Sequence, residues 1–127
     1  MGVVEEKINE LKARKAKIRA MGGEKLVLKH KKSGKMTARE RMAALFDPDT
    51  FREIDMFVTH RCVNFGMESM EIPSDGVITG HGLIDGRPVF AFAQDFTSRA
   101  GSLGEMHAQK ICKVMDLALK AGVPFVG

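Results

Sequence analysis

The sequence of 127 residues lacks long apolar runs, and two of its longest, Val89 to Ala93 and Gly122 to Val126, are short. A helix that crosses a bilayer needs roughly 20 consecutive apolar residues, so no transmembrane span is predicted. Residues 1–20 mix charged and aliphatic side chains and have no continuous apolar region of the kind that a secretory signal peptide contains. We therefore expect a cytoplasmic protein, and the length and the 44% hydrophobic content suit one soluble domain.

Cysteine is scarce, since Cys62 and Cys112 are the only two and they form no CxxC pair. This spacing argues against a disulfide framework and a zinc ribbon, and it favours two buried or unreactive thiols. The four histidines include no H-E-x-x-H pair, and the sequence contains neither a G-x-S-x-G nucleophile motif nor a G-K-[ST] phosphate loop. The sequence therefore predicts no metal site and no catalytic triad, and structural roles are favoured for the histidines.

Charge and aromatic residues are unevenly distributed along the chain. Residues 1–46 hold 13 Lys and Arg against 5 Asp and Glu, a net charge of +8, whereas residues 47–127 hold 7 against 11, a net charge of −4. All eight Phe residues lie at or after Phe46. This pattern predicts a basic arm attached to a body. A solvated helical face is the favoured explanation of the arm, ahead of binding to the phosphates of a small ligand; the lack of interleaved aromatics argues against nucleic acid.

Apolar spacing and capping residues predict the elements of the N-terminal part. One side of a first helix carries the aliphatic residues Val4, Ile8, Leu11 and Ile18. Their spacing predicts a helix from about Val3 to Met21, which the following glycine pair ends. The lysine-rich residues 29–35 predict an exposed linker. A T-x-x-E capping box at residues 37–40 predicts a short helix, and the alternation over residues 51–58 predicts a strand.

The rest of the chain has the pattern of a hairpin followed by a helix. Residues 75–94 predict two strands around the Asp85-Gly86 turn, the second of them covered on both faces. A second capping box at residues 102–105 predicts a long helix that Gly122 ends. One face of this helix is predicted to carry Leu103, His107, Ile111, Val114, Ala118 and Ala121, with His107 buried. A strand after Gly122 would make the helix an α/β crossover.

The loop from Phe96 to Glu105 is the best candidate site that the residues alone provide. It leads from a buried strand into a helix N-terminus, whose first amides lack partners and carry partial positive charge. Such a junction can bind a phosphate, a carboxylate or a developing oxyanion, and Gly101 and Gly104 would leave the backbone accessible. A helix start without any ligand is the commoner alternative. Asp95 is either a ligand-binding carboxylate or, more commonly, a loop cap.

Three long stretches also resemble one enzyme family. They are KMTARERMAALFDPDTFREIDMFVTHRCVNFGME, SDGVITGHGLIDGRPVFAFAQDFT and GSLGEMHAQKICKVMDLALKAGVPFVG. From Lys35 to Gly127 the chain resembles the carboxyltransferase (β) subunit of biotin-dependent acyl-CoA carboxylases, especially propionyl-CoA carboxylase, and the α subunit of methylmalonyl-CoA decarboxylase. One departure is Ala100, which stands in the loop where the family usually has a glycine.

The resemblance implies an α/β fold of the crotonase-like type, in which ββα units stack in a superhelix. Residues 1–35 would form a basic helical arm and linker, and residues 36–127 would form the first part of the N-terminal carboxyltransferase domain. The implied full-length protein is a homo-oligomer, either a dimer or a trimer of dimers. The implied partners are acyl-CoA and a biotin carboxyl carrier protein or domain, with neither nucleic acid nor a membrane span.

The implied activity is transfer of CO2 between carboxybiotin and the α-carbon of a short-chain acyl-CoA, such as propionyl-CoA or methylmalonyl-CoA. Sodium-coupled decarboxylation of methylmalonyl-CoA and a non-catalytic assembly role are the alternatives. The resemblance implies a mechanism that depends mainly on backbone amides that stabilise oxyanions and needs no side-chain nucleophile, and no metal is expected in this segment. By position, the amide of Ser102 or Leu103 is the expected donor, and Phe96, Gly101 and Gly104 are expected to contact acyl-CoA.

The family's second oxyanion element is a Ser-Gly-Gly-Ala-Arg stretch, and its biotin-binding part is a C-terminal domain. Neither is present in these 127 residues. We therefore expect the chain to be an N-terminal portion of a longer enzyme, inactive in carboxyl transfer on its own.

Overall fold

A computed structural model describes residues 2–127 as a mixed α/β fold with a helical N-terminal arm and a small open sheet. Its helices are α1 (Gly2–Arg19), α2 (Glu24–Lys32), α3 (Ala38–Leu45) and α4 (Glu105–Ala121). Its strands are β1 (Arg52–Ile54), β2 (Val77–Ile84), β3 (Arg87–Gln94) and β4 (Phe125–Val126). The predicted α/β class is confirmed. No helix within the described residues is long and apolar enough to cross a membrane.

The sheet has the strand order β1-β2-β3-β4. Strands β2 and β3 form the predicted antiparallel hairpin, and both turn residues, Asp85 and Gly86, have positive φ (52° and 76°). Two successive residues with positive φ define the type I′ turn, whose twist matches that of the flanking strands. Strand β4 lies parallel to β3, so α4 is the crossover helix that the pattern predicted.

Helices cover both faces of the hairpin. On one face, α3 packs against the sheet in a core cluster formed by Ala38, Met42, Phe46, Ile78, Val89, Ala91 and Ala93. Because side chains alternate along a strand, Val77 and Thr79 point to the opposite face, where they are completely buried on the side of α4. The second strand, β3, was predicted to be covered on both sides. Its residues Val89, Ala91 and Ala93 are buried on the α3 side, but Phe90 and Phe92 on the other side are only half-buried.

Two predicted boundaries in the N-terminal part are wrong. Residues 29–35 were expected to be a linker, but most of them belong to α2. Lysine and leucine are good helix formers, and lysines in the last turn interact favourably with the helix dipole, so the charge run stabilises a helix. The strand expected over residues 51–58 is limited to β1, because Asp55 takes a left-handed conformation (φ 57°) and turns the chain.

The first capping box is confirmed and the second is wrong. Thr37 Oγ1 accepts a hydrogen bond from the Glu40 amide at 3.2 Å, and the ion pair with Lys31 lowers the pKa of the Glu40 carboxyl. At the second box, Ser102 Oγ instead donates to the carbonyl of Arg99 at 2.6 Å. Helix α4 therefore begins at Glu105, and its buried side carries His107, Lys110, Val114 and Ala118. Leu103 and Ala121 are exposed, contrary to the prediction.

The arm contacts the body without burying any residue of α1. At its end, the Gly22 amide donates to Thr97 Oγ1 at 3.0 Å, and a Cβ atom at Gly22 would overlap the backbone carbonyl of Thr97. Both thiols, Cys62 and Cys112, are free and exposed, so of the two alternatives given for them, buried or unreactive, burial is wrong. Neither thiol lies in a cluster of three His, Cys, Asp or Glu side chains within residues 2–127.

Candidate functional site

The candidate loop starts from a buried carboxylate at the end of β3. Asp95 accepts hydrogen bonds from the Thr97 amide at 2.9 Å, from Thr97 Oγ1 at 2.6 Å and from Ser98 Oγ at 2.9 Å. These bonds occupy both carboxylate oxygens within three residues of chain. Asp95 is thus a loop cap, the commoner of the two roles considered for it.

The next turn of the loop has an unusual backbone. Arg99, Ala100 and Gly101 all have positive φ, at 50°, 54° and 72°. A non-glycine residue in this region costs roughly 1–2 kcal/mol, so Ala100 holds the conformation that a glycine would adopt without strain. The alanine therefore does not prevent the left-handed turn, and Gly101 follows it with its backbone against the ring of Phe96.

The two proposed donor amides differ in their hydrogen bonding. The Ser102 amide donates to the carbonyl of Arg99 at 3.1 Å and is already engaged. The Leu103 amide makes no hydrogen bond to any residue in the range 2–127. Leu103 is also exposed as a residue, at the surface of the loop. Of the two predicted donors, the geometry favours Leu103.

Phe96 lies on the other side of the loop, beside a groove between the arm and the body. Its ring is exposed and nearly parallel to that of His30, with centroids 6.4 Å apart. The groove has a volume of about 510 Å³ and is lined in part by His30, Lys35, Met36, Arg41, Gln94 and Phe96. Two cationic side chains and an aromatic face form a surface that suits a phosphorylated or otherwise anionic ligand.

The N-terminus of α4 already receives a carboxylate from the body. Asp75, buried in the tight turn Pro73–Gly76, accepts a hydrogen bond from the His107 amide at 2.7 Å. The same carboxylate lies beside Gly104, the N-cap residue, 3.5 Å from the position that a Cβ there would take. Asp75 therefore satisfies one of the free helix amides that the sequence reasoning had assigned to a ligand.

His107 is completely buried, as predicted, and both ring nitrogens have partners. Nδ1 lies 2.8 Å from the Asp75 carbonyl and Nε2 lies 3.3 Å from the amide nitrogen of Gln94. The neutral imidazole with its proton on Nδ1 satisfies both contacts, donating to the carbonyl and accepting from the amide. Burial lowers the pKa of His107, as does the nearby charge of Lys110, although Asp75 opposes the shift.

Lys110 is also buried, and its Nζ donates to the carbonyls of Ser74 and Val77, both at 2.7 Å. Burial lowers its pKa to about 8. The sequence reasoning missed Asp75, Gln94 and Lys110. One signal was available, because Lys110 continues the spacing of buried positions in α4 and a lysine on a buried face needs polar partners.

Residues 29–127 match the family described as the carboxyl transferase domain. The chain belongs to this family. It is 61% identical over 127 residues to the methylmalonyl-CoA decarboxylase subunit alpha of Veillonella parvula, covering all of this chain and 25% of that protein. It is 52% identical over 124 residues to the propionyl-CoA carboxylase carboxyltransferase subunit of Haloferax mediterranei, covering 98% of this chain and 24% of that protein.

A solved carboxyltransferase has the same fold. The crystal structure of transcarboxylase 12S, a hexamer assembly with methylmalonyl-coenzyme A and methylmalonic acid bound, superposes with a TM-score of 0.94 at 45% identity. The match covers 95% of this chain and 24% of that one. The resemblance and the carboxyltransferase fold are thereby confirmed, and the chain spans about a quarter of the length of the carboxyl transferases that it matches.

Proposed function

We propose that this chain contributes part of the acyl-CoA site of a biotin-dependent carboxyltransferase acting on a short-chain acyl-CoA such as propionyl-CoA or methylmalonyl-CoA. The observation that carries the proposal is the Leu103 amide, which has no hydrogen-bond partner within residues 2–127 and belongs to an exposed residue at the junction of a glycine-containing loop and α4. The names of the relatives and the methylmalonyl-coenzyme A bound to the transcarboxylase support the choice of substrate class.

The proposed chemistry depends on a backbone amide and not on a side-chain nucleophile. When the α-carbon of an acyl thioester gains or loses CO2, negative charge develops on the thioester oxygen, and a fixed amide donor stabilises that charge. Removing one such donor typically costs about 10²–10³ in rate. The Leu103 amide would serve as this donor, Gly101 and Gly104 would let the thioester approach the backbone, and Phe96 would contact the acyl-CoA. Biotin, held by a partner protein or domain, would carry the CO2.

In this proposal the phosphates of CoA bind in the groove between the arm and the body, which we call the basic groove. Lys35 and Arg41 line it next to Phe96, on the side of the loop that faces the arm. The proposal includes the division of the chain into a basic helical arm and linker over residues 1–35 and the first part of the N-terminal carboxyltransferase domain over residues 36–127. In the longer protein, we expect homo-oligomers and a cytoplasmic location.

Decarboxylation of methylmalonyl-CoA is the second candidate. It is favoured by one observation, the 61% identity to a decarboxylase subunit against 52% to a carboxylase subunit. Both reactions pass through charge on the same thioester oxygen, so the role of the Leu103 amide is common to them.

The proposal is tested by replacing Leu103 with proline, which removes the amide hydrogen. Ser102 has φ −59° and ψ 135°, the extended conformation that a residue before proline prefers. Leu103→Ala is the matched control, because it shortens the side chain and keeps the amide. Calorimetry of methylmalonyl-CoA binding to the 127-residue chain is expected to show about fivefold weaker affinity for Leu103→Pro only, the effect of one hydrogen bond. Equal affinities for the two variants would refute the role of the amide.

A further inference from the structure

We infer that Lys110 is a positioning residue that holds the Leu103 amide in place, acting through the turn Pro73–Gly76 and the buried Asp75. The inference rests on the proposed function of the Leu103 amide. It concerns a side chain that the proposed chemistry does not use, and it follows from a continuous series of short contacts between Lys110 and the candidate loop.

The first link is the turn that Lys110 binds. Ser74, Asp75 and Gly76 are three successive residues with positive φ, at 52°, 49° and 72°. Two of them are not glycine, so the turn stores strain that its surroundings must offset. Lys110 Nζ donates to the carbonyls of Ser74 and Val77, which lie on either side of Asp75 and Gly76. One ammonium group therefore holds both ends of the strained segment.

The second link runs from the turn to the start of α4. The left-handed conformation of Asp75 directs its carboxylate to the His107 amide and its carbonyl to His107 Nδ1. A carboxylate bonded to an amide of the first helical turn acts as a cap supplied from another part of the chain. Asp75 thus determines that α4 begins after Gly104, and it leaves the preceding residue, Leu103, outside the helix with a free amide.

A second branch reaches the loop through side chains. The amide nitrogen of Gln94 lies 3.3 Å from His107 Nε2 and 3.5 Å from the carbonyl of Gly101. Gln94 therefore contacts the loop at Gly101, before Leu103. After Leu103 the loop leads into α4, whose His107 amide is bonded by Asp75 from the turn that Lys110 holds.

Packing alone does not explain a lysine at this position. The side chain is 2% exposed, and among residues 2–127 its Nζ hydrogen-bonds two carbonyls and no carboxylate. Burying a charge in this way is unfavourable. A methionine has a similar length and would fill the same space without that cost. The donor function of the amine is the property that methionine cannot supply.

The test uses Lys110→Met in the 127-residue chain, with Lys113→Met as the matched control. Lys113 lies one turn further along α4, is exposed, and pairs with Asp55. Calorimetry with methylmalonyl-CoA is expected to show about fivefold weaker binding for Lys110→Met, similar to Leu103→Pro, and no change for Lys113→Met. The double variant Lys110→Met with Leu103→Pro should bind no more weakly than Leu103→Pro alone, because both changes remove the same donor.

A spectroscopic measurement separates failure of this inference from failure of the proposed function. Amide resonances of Gly101, Leu103 and Gly104 should shift in Lys110→Met and stay in place in Lys113→Met, whether or not acyl-CoA binds. Lys110→Arg, which keeps the donors, should restore the resonances. Unshifted resonances in a folded Lys110→Met, or losses of affinity that multiply in the double variant, would overturn the inference.

If Lys110→Met does not fold, Asp75→Asn provides the second route. It keeps Lys110 and the shape of the turn but weakens the cap on the His107 amide. The same three resonances should shift in Asp75→Asn, and unchanged resonances would count against the inference.

Discussion

The arm and the body are built from similar helices with different surroundings. Helix α1 carries Val4, Ile8 and Leu11 at helical spacing, and none of them is buried. Helix α4 carries Val114 and Ala118 at the same kind of spacing, and both are completely or almost completely buried against the sheet. Periodicity therefore predicts that a helix forms and which side is apolar, but the partner surface decides whether that side contributes to stability.

The body also contains polar groups that the arm lacks. In α1 the ion pairs join exposed residues, such as Arg14 and Glu10, and pairs of this kind contribute little. In the body, Lys110 and His107 lie in the interior and each makes at least two short contacts. The charged pairs of α1 therefore lie at the surface, whereas the charged group of Lys110 is buried in the body and hydrogen-bonded to its backbone.

The largest contrast should come from placing one aspartate in each region. Val114→Asp puts a carboxylate into a site with 0% exposure, and we expect a loss of at least about 4 kcal/mol in the free energy of unfolding. Ile8→Asp makes the same kind of change on the apolar side of α1 and should cost less than about 1 kcal/mol. Urea denaturation followed by circular dichroism measures both. A loss at Ile8 as large as at Val114 would show that the arm is covered in solution.

The second comparison between the arm and the body is the pH dependence of the free energy of unfolding. Burial lowers the pKa of Lys110 from 10.5 to about 8, helped by Arg39 and opposed by Glu53, Asp55 and Asp75. Between pH 8 and 10.5 the unfolded chain therefore binds more protons than the folded chain, and stability rises with pH by up to about 3 kcal/mol. The cost of the buried charge is fully present below pH 8.

Urea midpoints measured from pH 7.5 to 10.5 check this expectation. The rise should disappear in Lys110→Met and persist in Lys113→Met. Subtracting the Lys110→Met curve from the wild-type curve isolates the contribution of this one side chain. A wild-type curve that falls over this interval by comparison with Lys110→Met would contradict the expected sign.

The smallest contrast concerns helix ends. Thr37 caps α3 from a buried position, and Thr37→Ala should reduce stability by about 1 kcal/mol. Ser33, at the C-terminal end of α2 in the arm, donates to the carbonyl of His30 on the surface, and Ser33→Ala should cost less than about 0.5 kcal/mol. Thermal unfolding of the two variants under the same conditions gives the comparison, and equal shifts would remove the distinction between the two regions.

Local sequence signals predicted the hairpin, the crossover helix, the Thr37 cap and the burial of His107. Each depends on residues close together in the chain, such as the Asp-Gly turn or a regular spacing. The extent of α2 was missed because its lysines are equally compatible with a solvated loop. The start of α4 was misplaced because the true cap, Asp75, lies about thirty residues earlier in the sequence and reaches the helix only after the sheet has formed.

The candidate loop was also found from the sequence, because glycines between a strand and a helix are a local signal. The choice between its two amides was not, since it depends on the hydrogen bond from Ser102 to Arg99 that closes the turn. Lys110 was missed for a related reason. Its partners are backbone carbonyls, which every residue has, so no residue type in the sequence indicates them.

Gly22, in the turn that follows helix α1, contacts Thr97 in the candidate loop. Thr97, the residue that any side chain at position 22 would meet, is also held by the carboxylate of Asp95 at the start of the candidate loop. Gly22 therefore packs directly against the backbone of Thr97, with no space for a side chain between them. A larger residue there would have to tilt the arm away or displace Thr97, and the second response would be transmitted to Phe96 and the basic groove. Any side chain at position 22 would therefore change either the orientation of the arm or the shape of the loop.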